Sequence, residues 1–285
     1  MSVTTIINKN AESKGDQTEL EKVSPIARFS APLQAISSFV ILFAAWEIGV
    51  RLFSMPTYIL PAPSVVVTAL MAKLPRVLDG AWITGQEIVV GYICAILVSI
   101  PLALCLALSR TLERMVFPVV VFFQIIPKVA IAPLFVIWFG FGLLPKILIV
   151  FLLAFFPMLA NGISGFKSVP ADIMEFARST GAGRLLTFWK VRLPHALPSI
   201  FTGLKISAAL SAIGAVVGEF VAADKGLGYL LLEYNGDIDT PMVFAVIVVL
   251  SSIGLLVYGT VALIERTAIP WHVSQRVVND GAPAH

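Results

Sequence analysis

Few side chains in this 285-residue sequence have the type and spacing for chemistry, and those few point to non-covalent work. Glu87, Lys128, Lys205 and Glu219 fall inside long apolar runs, with Gln86 and Gln124 as uncharged polar company. A charge in hydrocarbon is costly, so such residues face a protein interior or a wet path, where they hold, gate or pass a solute. No Gly-x4-Gly-Lys-Ser/Thr loop occurs, so the chain is not itself a nucleotide hydrolase. His195, His272 and His285 do not cluster with acidic or cysteine ligands at metal spacing. Neither Gly-x-Ser-x-Gly nor His-Glu-x-x-His is present. Cys94 and Cys105 lie in one apolar segment, about 16 Å apart at the helical rise, too far for a disulfide, and read as small buried apolar side chains.

The elements that must position these residues are membrane helices. Hydrophobic residues make up 58% of the chain and charged residues only 13%, with a mean hydropathy of +0.92. Soluble domains carry about 25% charged residues, so there is too little polar surface here to coat a globule. The net charge of +3 gives no reason to expect nucleic acid as a partner. A helix crosses the hydrocarbon with roughly 20 apolar residues, and six segments qualify: about 33–53, 83–108, 115–139, 145–166, 197–222 and 241–264. None alternates in polarity as a barrel strand would. The first thirty residues hold Lys9, Glu12, Lys14, Asp16, Glu19, Glu21, Lys22 and Arg28 without an apolar run. They read as a solvated cytoplasmic tail rather than a signal peptide.

Loop lysines and arginines set the orientation. With the N-terminus inside, Lys9, Lys14, Lys22, Arg28, Arg110, Arg114, Lys167, Arg178, Arg184, Lys190, Arg192, Arg266 and Arg276 are cytoplasmic, whereas Arg51, Lys73, Arg76, Lys146 and Lys225 are outside. Both termini are therefore expected in the cytoplasm. Asp224, Glu233, Asp237 and Asp239 make the last outer loop acidic, which agrees. After Pro61-Ala62-Pro63, Ser64 is a candidate cap for an outer interfacial helix that Pro75 interrupts. Trp46, Trp82, Trp138 and Trp271 sit near span regions or ends, as interfacial aromatics do. The expected organisation is a tail over 1–30, a first span and outer segment over 31–82, a five-helix core over 83–266, and a cytoplasmic tail over 267–285.

Glu87 lies near the outer end of its span, within reach of water. Lys128 follows Pro127 in a broken stretch, and such breaks supply free backbone groups to a pathway; a structural ion pair or snorkelling is the alternative. Glu219 precedes Gly226 and Gly228 and suits a gate or re-entrant loop, or an outer pair with Lys225. The small residues Gly203, Ser207, Ala208, Ser211, Gly214, Ala215 and Gly218 suit a dimer interface, a translocation wall or simple packing.

The most informative segment is the cytoplasmic loop 167–196. Pro170 and Asp172 suit the start of a helix that Gly181 and Gly183 end. A second short helix, from Leu185 to about Val191, is expected to stop before Pro194. Ile173, Phe176, Leu185, Leu186, Phe188 and Trp189 offer apolar area to a partner. Glu175-Phe176-Ala177, then Gly181 after three residues, then Val191-Arg192-Leu193-Pro194 after nine more, resembles the Glu-Ala-Ala loop of bacterial binding-protein-dependent ABC importer permeases. Phe176 and Val191 depart conservatively from the usual Ala and Ile. Ile126-Pro127, Ala132-Pro133-Leu134, Trp138-Phe139-Gly140, Gly218-Glu219-Phe220 and Gly226-Leu227-Gly228-Tyr229 are similar to the nitrate, sulfonate, taurine and vitamin-precursor branch. Asp239-Thr240-Pro241 and Glu265-Arg266 resemble pyrimidine or riboflavin permeases.

The resemblance implies an all-α integral membrane protein with six transmembrane helices of the type I ABC importer kind, in the bacterial inner membrane. Glu175, Phe176, Ala177, Gly181, Val191, Leu193 and Pro194 would then couple to a cytoplasmic ABC ATPase. That partner would bind ATP and magnesium, and this chain no cofactor. Glu175 would cap or pair at the interface, with an internal pair to Arg178 as its local alternative. The other implied partners are an extracytoplasmic substrate-binding protein, a second copy of the chain as a homodimer, and membrane lipid. Gln124, Lys128 and Glu219 are the candidate pathway or gate residues. A small anion such as nitrate or a sulfonate is the first expectation for the solute, with a heterocyclic vitamin precursor next. A stand-alone secondary transporter is the competing class; it predicts internal repeats and more intramembrane carboxylates than this sequence shows.

Overall fold

A computed structural model describes the backbone of residues 25–270, with side chains from residue 37 onward. Every regular element in that range is helical. The chain runs α1 (Pro25–Leu52), α2 (Pro63–Ala72), α3 (Leu74–Leu108), α4 (Arg110–Ile125), α5 (Lys128–Phe139) and α6 (Leu143–Lys167). It continues with α7 (Ala171–Ser179), α8 (Arg184–Thr187), a π-helical turn (Phe188–Arg192), α9 (Leu193–Ala222), α10 (Leu227–Gly236) and α11 (Thr240–Ala268). One compact unit spans Phe43–His272. Of the expected tails over 1–30 and 267–285, residues 1–24 and 271–285, Trp271 among them, lie outside the described residues.

Among the described residues, four helical stretches are long and apolar enough to cross a bilayer: α3, α6, the continuous Arg184–Ala222 stretch and α11. Helix α1 occupies the first expected span. The expected third span, 115–139, is a broken pair in which α4 and α5 meet at 94°. Pro127 causes the break: it lacks an N–H and forces Ile126 into an extended conformation, at φ −59° and ψ 128°.

Two expectations at the outer side are corrected. The second span begins at Leu74 rather than 83, because Pro75 sits in the first turn of α3, where the missing N–H costs nothing. Ser64 does not cap α2, whose N-cap is Ala62. Its amide and hydroxyl instead donate to the Glu47 carboxylate at 3.0 and 2.8 Å, tying α2 to α1.

Small residues on α9 serve its packing against α6. A Cβ on Gly203 would lie 2.8 Å from Asn161 Cβ, and one on Gly214 2.8 Å from the Val150 Cα. Gly91 and Gly162 allow the same close approach between α3 and α6. Toward the end expected in the cytoplasm, Ala103, Leu106, Leu159, Ile163, Phe166, Ala196 and Ile200 form one buried cluster. At the outer end, Val66, Val77, Leu227, Leu230, Tyr234 and Met242 belong to another. Cys94 is half-buried and Cys105 exposed, so Cys105 is not the buried side chain expected.

Charge is distributed unequally between the two sides. Three of the cations expected outside find acids: Arg51 with Glu47 at 2.6 Å, Lys73 with Asp239 at 3.0 Å, and Arg76 with Glu233 at 2.8 Å, whereas Lys225 forms no ion pair among the described residues. Lys146, also expected outside, is buried in α6 and paired with Glu87 at 2.8 Å. Of the cytoplasmic set, Lys167 pairs with Glu113. Among the described residues Arg110, Arg114, Arg178, Arg184, Lys190, Arg192 and Arg266 form no ion pair.

Candidate functional site

The loop over 167–196, expected on the cytoplasmic side, is built around one left-handed residue. Helix α7 starts after Pro170, with Asp172 in its first turn, and ends at Thr180. Gly181 then takes φ +73°, its amide donating to Arg178 O at 3.0 Å while the Ala182 amide reaches Ala177 O at 3.3 Å. This paired pattern is the Schellman stop, and it requires a positive φ at the residue after the cap. No atom lies within 4 Å of a Cβ built on Gly181, so conformation alone, not space, demands glycine there. Gly183, at φ −63°, carries no such demand.

Pro194 does not stop the second helix, contrary to the sequence expectation. The chain widens through the π turn, Leu193 N donating to Phe188 O, and enters α9 without a break. A proline inside a helix leaves an upstream carbonyl without its partner, and a π turn is a common way to absorb that. The result is a single 39-residue helical stretch from Arg184 to Ala222. Phe188 stacks near Phe166 at 6.3 Å and packs with Leu193 against the cytoplasmic core cluster.

Of the matched loop residues, Ala177 is buried, Val191, Leu193 and Pro194 are half-buried, and Glu175, Phe176 and Gly181 are exposed. Glu175 makes no ion pair with Arg178 among the described residues. Phe176, Leu185, Leu186 and Trp189 are between 54% and 72% exposed, a large apolar offering on an otherwise charged loop.

A second polar site lies toward the outer end of the bundle. Glu219 accepts a hydrogen bond from Thr84 Oγ1 at 2.6 Å with one carboxylate oxygen. Its other oxygen accepts from the Gly228 amide and, at 3.3 Å, the Tyr229 amide. Thr84 Oγ1 in turn accepts from the Leu227 amide at 2.8 Å. Glu219 and Thr84 therefore satisfy the free N–H groups of the first turn of α10, where a carboxylate also complements the helix dipole. Gly226 adopts φ +116°, and a Cβ on Gly228 would lie 2.8 Å from Glu219 Cβ. The Gly218-Glu219-Phe220 and Gly226-Leu227-Gly228-Tyr229 motifs are thus one structural unit. Glu219 pairs with this turn and not with Lys225.

One helical turn along α3 from Thr84, Glu87 is fully buried and takes Lys146 Nζ on one oxygen; the other oxygen has no partner among the described residues. Glu87 does not reach water, as its place in the sequence had suggested. Thr84 and Lys146 were the members missed. Thr84 sits at the i−3 position of Glu87, on the same face, which is the signal that points to it.

At the break between α4 and α5, Lys128 Nζ donates to the Gln124 carbonyl, one of the groups freed at the end of α4, and lies 5.0 Å from the Phe156 ring centroid. The site borders an apolar cavity of about 200 Å³ lined in part by Phe123, Phe151, Phe155 and Phe156. Lys205 is tied to Glu265 at 2.7 Å. The structure brings Gln124 and Lys128 together, and keeps them in a constellation separate from Glu219.

Comparison with known proteins agrees with this arrangement. Residues 87–269 match the family model described as binding-protein-dependent transport system inner membrane component. The formylaminopyrimidine transport permease ThiX of Halalkalibacterium halodurans is 35% identical over 245 residues, covering 83% of this chain and 95% of that protein. The riboflavin permease RibX of Chloroflexus aurantiacus is 36% identical, with 89% and 96% covered. The taurine permease TauC of Escherichia coli is 30% identical, with 82% and 87% covered. Among solved structures, an inward-facing MetNI methionine ABC transporter chain superposes with a TM-score of 0.60 at 23% identity, over 69% of this chain and 97% of that one.

Proposed function

The chain belongs to the family of binding-protein-dependent transport system inner membrane components, and from that premise we propose that it passes an aromatic heterocycle, of the aminopyrimidine or flavin kind, across the bacterial inner membrane. It is the permease subunit of an ABC importer, a transport subunit whose ATP is hydrolysed elsewhere. In this reading two copies enclose the path, a substrate-binding protein delivers solute from outside, and both termini lie in the cytoplasm. Cytoplasmic ABC ATPase subunits hold ATP and magnesium and push on the loop.

The observation that carries the coupling role is the Schellman stop at Gly181 beside an exposed apolar patch. Exposed side chains as large as Phe176, Leu185 and Trp189 favour a protein partner, because their burial yields about 1.5–3 kcal/mol each. The loop leads straight into the helical rod that ends at Ala222, so force applied to it acts on a spanning helix.

The choice of an uncharged aromatic solute over a small anion rests on the relatives. Of the two intramembrane lysines, Lys205 is compensated by Glu265, whereas Lys128 is bonded to a neutral carbonyl and keeps its charge. The relatives for formylaminopyrimidine and riboflavin show 35% and 36% identity, against 30% for taurine. The test is ATP-driven uptake by the chain reconstituted with its ATPase and binding protein, presenting labelled aminopyrimidine, flavin, taurine and nitrate in turn. Uptake of taurine or nitrate alone would overturn the solute assignment. Gradient-driven uptake by this chain without any ATPase would overturn the permease assignment.

A further inference from the structure

Below the spans, a cavity of about 650 Å³ opens between the ends of α3 and α6 and the coupling loop. Arg110, Lys167, Arg178 and Arg192 supply its charge, and Leu108 and Phe166 belong to its apolar wall. We propose that this cavity is a binding site for the phosphate headgroup of an anionic glycerophospholipid from the cytoplasmic leaflet.

Three features carry the assignment. The first is uncompensated charge. No acidic residue lines the cavity, and among the described residues the side chains of Arg110, Arg178 and Arg192 make neither a hydrogen bond nor an ion pair, while Lys167 is shared with Glu113. Three of the outer cations behave in the opposite way, Arg51, Lys73 and Arg76 each being matched to an acid of this chain, while Lys225 forms no ion pair among the described residues. Three open arginines around one cavity suit a counter-charge from outside the chain, and arginine forks match phosphate oxygens two at a time.

The second feature is depth. Leu108 is the last residue of α3 and Lys167 the last of α6, so the cavity lies where two spanning helices leave the hydrocarbon. Leu108 is 59% exposed and offers acyl-chain contact directly beside the cations. Basic pockets between helices on the cytoplasmic side are suited to acidic headgroups, and the negative leaflet surface concentrates them there.

The third feature separates this site from the ATPase surface. Phe176, Leu185, Leu186 and Trp189, the apolar patch of the loop, do not line the cavity. An acidic side chain from the ATPase would need to reach past that patch to the span ends, whereas a headgroup is already there. The bound phosphate would bridge α4, α7 and the π turn, because Arg110, Arg178 and Arg192 come one from each.

The test uses the full permease–ATPase complex, stripped of lipid in detergent and re-supplied with phosphatidylglycerol or phosphatidylethanolamine before native mass spectrometry. The site predicts retained phosphatidylglycerol, at least tenfold over phosphatidylethanolamine, undisturbed by millimolar inorganic phosphate. The triple variant Arg110→Gln, Arg178→Gln, Arg192→Gln loses that retention, while the matching triple lysine variant keeps most of it and so controls for assembly. Equal retention by wild type and the glutamine variant overturns the proposal. Displacement by inorganic phosphate overturns it in favour of a free-anion site. Loss of phosphatidylglycerol retention whenever the ATPase is bound, with recovery in the isolated permease, overturns it in favour of an ATPase carboxylate.

Discussion

Replacing Lys146 by methionine isolates the energetics of the buried pair. Methionine keeps the apolar stem that packs on Gly218, where a Cβ would stand 3.2 Å from Lys146 Cβ, and removes only the ammonium. Glu87 then has both oxygens without a donor at a fully buried position, since one already lacks a partner. Breaking a buried ion pair from one side costs about 3–5 kcal/mol. At about 1.4 kcal/mol per factor of ten, the folded-to-unfolded ratio should fall by roughly 10²-fold to 4 × 10³-fold. The double variant Glu87→Met, Lys146→Met removes both charges and should recover most of that loss, because apolar replacement of a buried pair is often neutral or better. Unfolding by SDS in mixed micelles, followed by tryptophan fluorescence, would give all four corners of the cycle. A single variant as stable as wild type would refute the burial argument. So would a double variant no more stable than Lys146→Met alone.

Three other outcomes follow from the same geometry. Gly181→Val forces a β-branched residue into a left-handed conformation, at a strain of about 1–2 kcal/mol. It should abolish co-purification of the ATPase while leaving membrane insertion intact, and normal co-purification would count against the loop as the docking element. Thr84→Val removes the acceptor of the Leu227 amide and one donor to Glu219, a loss of about 1.5–3 kcal/mol for bonds of this charged type; amide exchange at Leu227–Tyr229 should rise at least tenfold, and unchanged exchange would show that α10 is held otherwise. Lys128→Met should leave uptake of a neutral heterocycle within about twofold, because a solute without charge gains little from the ammonium held at Gln124 O. A collapse of transport with an intact protein would place Lys128 on the path.

Much of the bundle was legible because lipid leaves a helix few alternatives. The apolar runs, Gly181 with the loop pattern, and the break at Pro127 all follow from local rules of length, φ and missing N–H groups. The misreadings share another cause. Pro194 looked like a stop because a one-dimensional pattern does not show that a π turn can absorb a proline. Lys146 looked like an outer charge because it stands at the edge of the expected span 145–166; its burial depends on Glu87, 59 positions earlier. Glu219 and Lys225 looked like a pair by proximity in sequence, yet the carboxylate turns to Thr84, 135 positions away. Local signals place backbone, whereas charge partners are chosen by packing between distant helices.

The unbroken stretch from Arg184 to Ala222 gives these separate sites one mechanical frame. Its beginning belongs to the exposed loop, and its last turn carries Glu219, which holds the first turn of α10. Thirty-nine residues correspond to about 58 Å at the helical rise, enough to cross the bilayer and emerge on both sides. Along most of that length the rod is packed on α6 through positions such as Gly203, Gly214 and Gly218, where any added carbon would collide. Close packing of this kind resists sliding and favours joint movement of the two helices. Displacement of the loop must therefore either carry α6 and α9 together or be taken up at the π turn, the one irregular point in the rod. In the first case the strain arrives at Glu219, where a charged cap links α9 to α3 and α10 by hydrogen bonds that can break and re-form without loss of helix. In the coupling reading proposed above, the cap at Glu219 is the point at which a push on the loop would be passed to α3 and α10.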